Sequence, residues 1–534
     1  MHNKKTVLIS CVIILILSAV YLSYGYFHFD LRRYLFDEGI TAYGATLIQD
    51  GSLPYRDFWS FHAPGRFFLL AGVFNLFGAS LQVFVFFTFF VLSIIAVELY
   101  LFVFRIYGRI LGLAAVLFFL AWTKMYMVYN RPSQFALLIF MLSCFPLYRY
   151  IFSGGKKWLI LSGCLAGIMA WFKLDFLLFF IICVFPIVAL RADRAARENR
   201  VKNPKSAIFK SCIVLYFGLL TTALPALIYF LVKGGNAELQ SYVLSGLWQK
   251  NHYFNFPGFN FKFIMFYVPI VTFFASTLYL IIQYRNKNAR SVSFQVMFFF
   301  LLFGVCLHTY SVRRLDEYRL WVLSAPTIII FIGLWDAFTV RLVNSRKIVA
   351  YALLFVSALL SFCALLPYHS QLRQIMSNVS EGRIDILRGK GFYDSSKHAS
   401  SQLQALKYIQ DNTDPSEKIF VCNIRHDRLT NNDVMFYFLA GRKSATKYYQ
   451  FEPGFTTTKV IQDRIIRDLK ETGVRYIVLW KLSDEYLEEN ESSVSSGITD
   501  LDDFIKNNFE LRKDFGEYLV LGRKPVVMEK ASKF

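Results

Sequence analysis

The chain has 534 residues, of which 55% are hydrophobic, 18% aromatic and only 18% charged, with a mean hydropathy of +0.42. That is too apolar for a wholly soluble enzyme. The net charge of +21 does not point to nucleic acid: residues 368–534 hold 25 basic and 24 acidic side chains, so +20 of the excess lies among the apolar segments, where lysine and arginine gather in cytoplasmic loops.

After Lys4 and Lys5, the apolar run from Thr6 to about Phe27 is long enough to cross a bilayer and has no small-residue cleavage site after it. It reads as an uncleaved anchor with a cytoplasmic N-terminus. Residues 29–80 form a large external loop. Within it, Ala63–Gly78 is too short to span and starts Ala-Pro-Gly-Arg, so an interfacial helix is expected. Apolar runs at about 81–104, 110–123, 133–150, 158–173, 176–190, 206–232, 262–284, 293–310, 320–340 and 348–367 bring the expected spans to about eleven. An odd number leaves the tail outside. The loops at Arg105/Arg109, Lys156/Lys157, Arg191–Lys210, Arg285–Arg290 and Arg341–Lys347 carry the basic excess expected of the cytoplasmic side.

The tail, 368–534, reads as a small α/β domain on the extracytoplasmic face. Helices are expected at Ser400–Asn412, Asn432–Ala440, Thr457–Thr472 and Leu501–Phe509, and strands at Lys418–Cys422, Val474–Trp480 and Tyr518–Leu521. Asp414-Pro415 marks a turn, and Gly441 and Gly473 stand where helix C-caps fall. Seven of the eight cysteines lie in apolar runs and Cys422 is alone in the tail, so no disulfide can form within it. Nothing resembles a metal-binding cysteine cluster.

The strongest local signal is Asp37-Glu38, two adjacent carboxylates just past the first span. Held at a lipid interface beside aromatic rings, such a carboxylate is partly desolvated and its pKa moves toward the range of a general base. The bland alternative is a helix over Glu38–Gln49 with Asp37 as its cap and Glu38 in its first turn.

Phe36-Asp37-Glu38-Gly39, Tyr43, Gly51-Ser52-Leu53-Pro54-Tyr55-Arg56-Asp57-Phe58, His62-Ala63-Pro64-Gly65 and Asn75-Leu76-Phe77-Gly78, in that order, resemble the first external loop of GT-C glycosyltransferases, closest to the protein-mannosyltransferase and aminoarabinose-transferase branch. The resemblance implies a multi-pass helical membrane enzyme, residues 1–367, with the extracytoplasmic α/β tail. Such an enzyme moves a sugar from a polyprenyl phosphate to a lipid, glycan or protein acceptor at the outer face of the cell membrane, with inversion. By the same resemblance Asp37 is the general base and Glu38 its supporting partner.

Bound donor phosphate calls for cations. Arg66 stands at the start of the interfacial helix and is either a phosphate ligand or a snorkelling side chain. Arg313 and Arg319 with Tyr318 form a second external basic group that either faces the donor or, through Arg314 with Asp316 or Glu317, makes a surface network. His62, Asp57, Tyr55 and Tyr318, with Trp59, Trp248 and Tyr253, are expected around the sugar and lipid groove. Lys173-Leu174-Asp175 reads as a helix terminator, and Glu98, Asp336 and His308 as structural. The second external loop, 124–132, has no carboxylate, whereas several relatives place one there, so a metal-independent displacement with no required cofactor is expected. The rival from another class is a transporter or lipid flippase, for which midplane charges and related halves are expected.

Overall fold

A computed structural model describes residues 4–23, 36–60, 62–125, 132–200, 202–233, 264–288, 291–312, 320–340, 344–364, 386, 388–389, 397–428, 432–451, 455–481 and 494–525. The first part is helical: α1 Lys4–Ser23, α2 Asp37–Gln49, α3 Gly65–Phe77, α4 Leu81–Tyr107, α5 Arg109–Met125, α6 Pro132–Ser153, α7 Lys156–Met169, α8 Leu174–Arg197, α9 Pro204–Lys233, α10 Ile264–Arg285, α11 Val292–Val312, α12 Ser324–Thr339 and α13 Asn344–Ala364. All eleven apolar runs are helices. Seven among the described residues are long and apolar enough to cross a membrane: those of α1, α4, α6, α8, α9, α10 and α11. The chain is a multi-pass membrane protein. α5, α7 and α12, at 17, 14 and 16 residues, fall below the roughly 20 residues that a bilayer core requires. α3 has 13 residues, the short helix expected in the external loop.

Inside a membrane, helices gain little from burying apolar surface and associate through close packing. α7 and α9 meet at small residues: Gly163 and Gly167 are so close to α9 that a Cβ on either would strike the backbone of Leu215 or Leu219. The Thr222 hydroxyl donates to the Cys164 carbonyl at 2.8 Å across this seam. Elsewhere aromatic rings fill the interior, with Phe140 of α6 stacked on Phe303 of α11 at 3.8 Å and Phe102 of α4 edge-on to Phe300 at 5.3 Å.

The tail holds α14 Lys397–Asn412, β1 Lys418–Asn423, α15 Met435–Ala440, β2 Lys443–Ser444, α16 Lys459–Glu471, β3 Tyr476–Trp480, α17 Asp500–Asn508, β4 Phe509–Asp514 and β5 Tyr518–Arg523. Its five-stranded sheet runs β2-β1-β3-β5-β4. β1 is parallel to β2 and β3, and β5 is antiparallel to β3 and β4. Two strands escape the sequence pattern: β2 has two residues, and only Phe509 of β4 is buried, so neither shows apolar alternation. Gly441 caps α15 at φ +64, and Gly473 follows α16 at φ +60.

The tail docks on the segment between α1 and α4. Gly39 of α2 lies so close to Met435 that a Cβ there would strike the Met435 backbone. The Tyr43 ring stacks on Tyr437 at 5.0 Å and meets Tyr449 edge-on at 4.8 Å. Trp59 donates its backbone N–H to the Lys447 carbonyl at 3.0 Å. Its indole does not lie in an open groove, as expected; it is 3% exposed and belongs to the tail's own core, stacked on Phe455 at 4.2 Å.

Candidate active site

The site is assembled from α2, the loop before α3, the α7–α8 turn and the tail's roof. Asp37 and Glu38 occupy the first turn of α2. The cap is Phe36, and no side chain caps the helix, so the expected capping role of Asp37 is not what holds it there. Consecutive helical positions diverge by about 100°, and the two carboxyls therefore part company. Asp37 keeps 20% of its side chain exposed, whereas Glu38 is 1% exposed.

His62 comes to Asp37 from the following loop, its Nε2 lying 3.4 Å from the Asp37 Oδ1. Burial and the charges of Arg66 and Lys173 hold the imidazole well below its usual pKa, so it faces Asp37 in the neutral form near pH 7. Tyr55 fixes this loop. Its hydroxyl donates to the His62 carbonyl at 2.8 Å, its N–H donates to the Phe58 carbonyl at 2.7 Å, and its backbone sits at φ +71, which a bulky residue adopts only when its surroundings enforce it. Tyr55 is fully buried and supports the loop from beneath, contrary to the expectation of a groove wall. Asp57 also does a loop's work: its carboxylate accepts from the Leu53 N–H at 2.8 Å and pairs with Arg56 at 2.6 Å.

Arg66, in the first turn of α3, is fully buried, with its guanidinium 5.1 Å from the centre of the Phe67 ring. The snorkelling alternative required an exposed end, and the residue has none. Burial drives Glu38 up to about 8, with Arg66 pulling it back down. A guanidinium stays charged under all ordinary conditions, so this buried pair couples a permanent cation to a carboxyl that titrates near neutrality.

Lys173 is the residue that sequence reasoning assigned elsewhere. It precedes α8 as its N-cap, its ammonium stands 4.9 Å from the centre of the Tyr310 ring, and its charge acts on His62. The α7–α8 turn is held against α3 by the Gly65 N–H, which donates to the Trp171 carbonyl at 2.8 Å. The only sequence signal was a lysine at the outer end of a span. Tyr449, from the tail, was not singled out at all: it is 1% exposed, its hydroxyl has no hydrogen-bond partner among the described residues, and it feels the charge of Arg66.

Arg313, Tyr318, Arg319, Trp248 and Tyr253 lie outside the described residues, as do residues 126–131. Asp336 accepts from the Tyr351 hydroxyl at 3.2 Å, and His308 packs 4.9 Å from Phe266. Among the described residues, no three His, Cys, Asp or Glu side chains group as a metal site.

Residues 61–219 match the family model described as dolichyl-phosphate-mannose-protein mannosyltransferase. That stretch contains His62, Arg66 and Lys173 and begins after Asp37. No curated protein matches the sequence. Among solved structures the chain is similar to ArnT from Cupriavidus metallidurans, crystallised with undecaprenyl phosphate, at 11% identity and a TM-score of 0.54, with 96% of this chain and 98% of that chain covered. The likeness to that structure is one of fold.

Proposed function

We propose that this chain is a membrane glycosyltransferase that moves a sugar from a polyprenyl phosphate to an acceptor hydroxyl or amine at the outer face of the cell membrane. The observation that carries the reading is the juxtaposition of a partly exposed carboxylate, Asp37, with two cations, Arg66 and Lys173, on a GT-C fold. The family match at 61–219 and the undecaprenyl phosphate bound by the structural neighbour agree with a polyprenyl-phosphate donor.

In this reading the acceptor's lone pair attacks the anomeric carbon, its proton passes to Asp37, and the bond from that carbon to the phosphate oxygen breaks with inversion. The departing polyprenyl phosphate gains negative charge, which in this reading Arg66 and Lys173 stabilise. Neutral His62 orients Asp37 and adds no positive charge that would lower the basicity of the carboxylate. Glu38, raised to about 8 by burial, is mostly protonated near pH 7 and leaves the charge of Arg66 to the donor phosphate. When a phosphate shares that guanidinium, the carboxyl loses part of its stabilisation and takes up a proton more readily. The residues need no metal to perform these steps, and metal independence is part of the proposal.

The test is transfer by the purified full chain from polyprenyl-phosphate sugars to membrane extract, with donor binding measured separately. Transfer abolished in Asp37→Asn, with donor still bound, supports the assignment. Transfer equal to wild type refutes it.

A further inference from the structure

The two ends of α8 differ in what they carry. Its Lys173 end meets the Asp37 cluster. Arg191 lies 18 residues further on, about 27 Å along the axis at 1.5 Å per residue, close to the thickness of a bilayer core. The apolar run closes there with Arg191-Ala-Asp-Arg-Ala-Ala-Arg-Glu-Asn-Arg. This end of the bundle therefore stands at the opposite lipid boundary, where phospholipid phosphates lie.

Arg191 is 4% exposed. Its Nε and Nη1 are enclosed and have no hydrogen-bond partner among the described residues. Its Nη2 lies against the turn between α6 and α7, so close that a Cβ on Gly154 would stand 2.5 Å from it. Both carboxylates of residues 191–200 are spent on other arginines: Asp193 pairs with Arg197 at 3.6 Å, and Glu198 takes Arg194 at 3.0 Å and Arg200 at 3.3 Å. Arg194, one turn after Arg191, has a further buried nitrogen, Nη1, without a partner among the described residues. A guanidinium cannot shed its charge, and a buried charge that no counter-ion meets is costly.

The same turn opens a helix N-terminus. α7 begins after Gly155 with no side-chain cap, and the first-turn N–H groups of Lys156 and Lys157 have no acceptor within the helix. They add the positive end of the helix dipole to the charge of Arg191. Lys156 and Lys157 are exposed. The Trp158 ring lies 5.3 Å from the Lys157 ammonium and 5.9 Å from the Arg149 guanidinium, a setting in which tryptophan anchors at a lipid interface. An anion standing over this turn meets the helix N–H groups and the two lysines from the surface and Arg191 through Nη2, so it needs no enclosed pocket. We propose that the α6–α7 turn, with Arg191 beside it, binds the phosphate of an anionic membrane phospholipid. The inference does not depend on the transfer reading, since lipid binding is measured without a donor.

The experiment is thermal unfolding of the delipidated full chain in neutral detergent, titrated with dioctanoyl phosphatidylglycerol, dioctanoyl phosphatidylcholine or inorganic phosphate. It is repeated on Arg191→Met, on the double variant Lys156→Gln with Lys157→Gln, and on Arg197→Gln, whose side chain is 65% exposed. Phosphatidylglycerol is expected to raise the unfolding temperature of wild type and of Arg197→Gln at similar concentrations, with the other two probes about tenfold weaker or worse. Arg191→Met and the double lysine variant are expected to need about tenfold more phosphatidylglycerol. If Arg191→Met fails to fold, the lysine variant decides. No response of wild type, or an equal response of all variants, would overturn the proposal. So would a loss in Arg197→Gln as large as in Arg191→Met, which would make the effect one of net charge alone. Phosphatidylcholine or inorganic phosphate acting as strongly as phosphatidylglycerol would overturn it too, the latter by showing a site for a soluble anion.

Discussion

The backbone N–H of Ser444 donates to the hydroxyl oxygen of Tyr43 at 2.7 Å, joining residues 401 positions apart in sequence. Through this bond the tail's edge strand β2 is tied to the same short helix that carries Asp37 and Glu38. The tail is thus a structural part of the candidate active site, and its removal exposes the rings of Tyr43 and Phe74 to water.

Tyr43→Phe deletes this acceptor and leaves the Ser444 N–H unsatisfied in a partly buried position. The expected cost is about 1–2 kcal/mol, read as a lower unfolding midpoint and as faster proteolytic release of the tail. Sugar transfer falls with it. Unchanged protease sensitivity would show that ring stacking alone secures the dock.

Asp37→Asn preserves size and the contact with His62 but removes the base. Transfer is expected to drop by about 10²–10⁴-fold with donor affinity little changed. His62→Ala, which only loosens the carboxylate, is expected to cost less, about tenfold. An equal loss in both would mean that the imidazole itself takes part in proton transfer.

Glu38 gives the protein a pH dependence with a defined sign. Its carboxyl is raised from 4.5 to about 8 in the folded state, so the folded protein holds a proton that the unfolded chain releases between those values. Stability is therefore lost as pH rises through this window, by up to roughly 4 kcal/mol for a group so deeply buried. Glu38→Gln cannot ionise and is expected to flatten the fall in unfolding temperature between pH 5 and 8.5. A wild-type profile that rises with pH while the variant's stays flat contradicts the shift.

Gly39→Val places a branched side chain where the Met435 backbone already stands. The tail must move away or α2 must tilt, and a loss of several kcal/mol is expected. Protease accessibility of the tail measures this directly. Gly51→Val, at a glycine with nothing within 4 Å of a built Cβ but with φ +84, is expected to strain only its own turn and to leave the dock intact.

Lys173→Met keeps the length of the side chain and removes its charge. A higher KM for the polyprenyl-phosphate donor, by about tenfold, is expected together with a higher pKa for His62, because one of the charges that holds the imidazole neutral has gone. Donor titrations and the pH profile of transfer check the two effects separately.

Much of this protein was legible in the order of its residues. Apolar run length fixed where the helices lie, because a segment in a bilayer must satisfy its backbone internally. The basic excess outside the tail, the alternating pattern of β1, β3 and β5 and the acidic pair after the first span were all local signals, readable without knowing what touches what. The three-dimensional structure decided the rest. That Asp37 stays accessible while its neighbour Glu38 is buried against Arg66 follows from the packing of α2 under the tail. That Lys173 belongs with His62, that Tyr55 and Trp59 are buried supports, and that Arg191 lies against Gly154 are meetings between distant segments. No periodicity records such meetings, since each is fixed by how already formed elements fill space against one another.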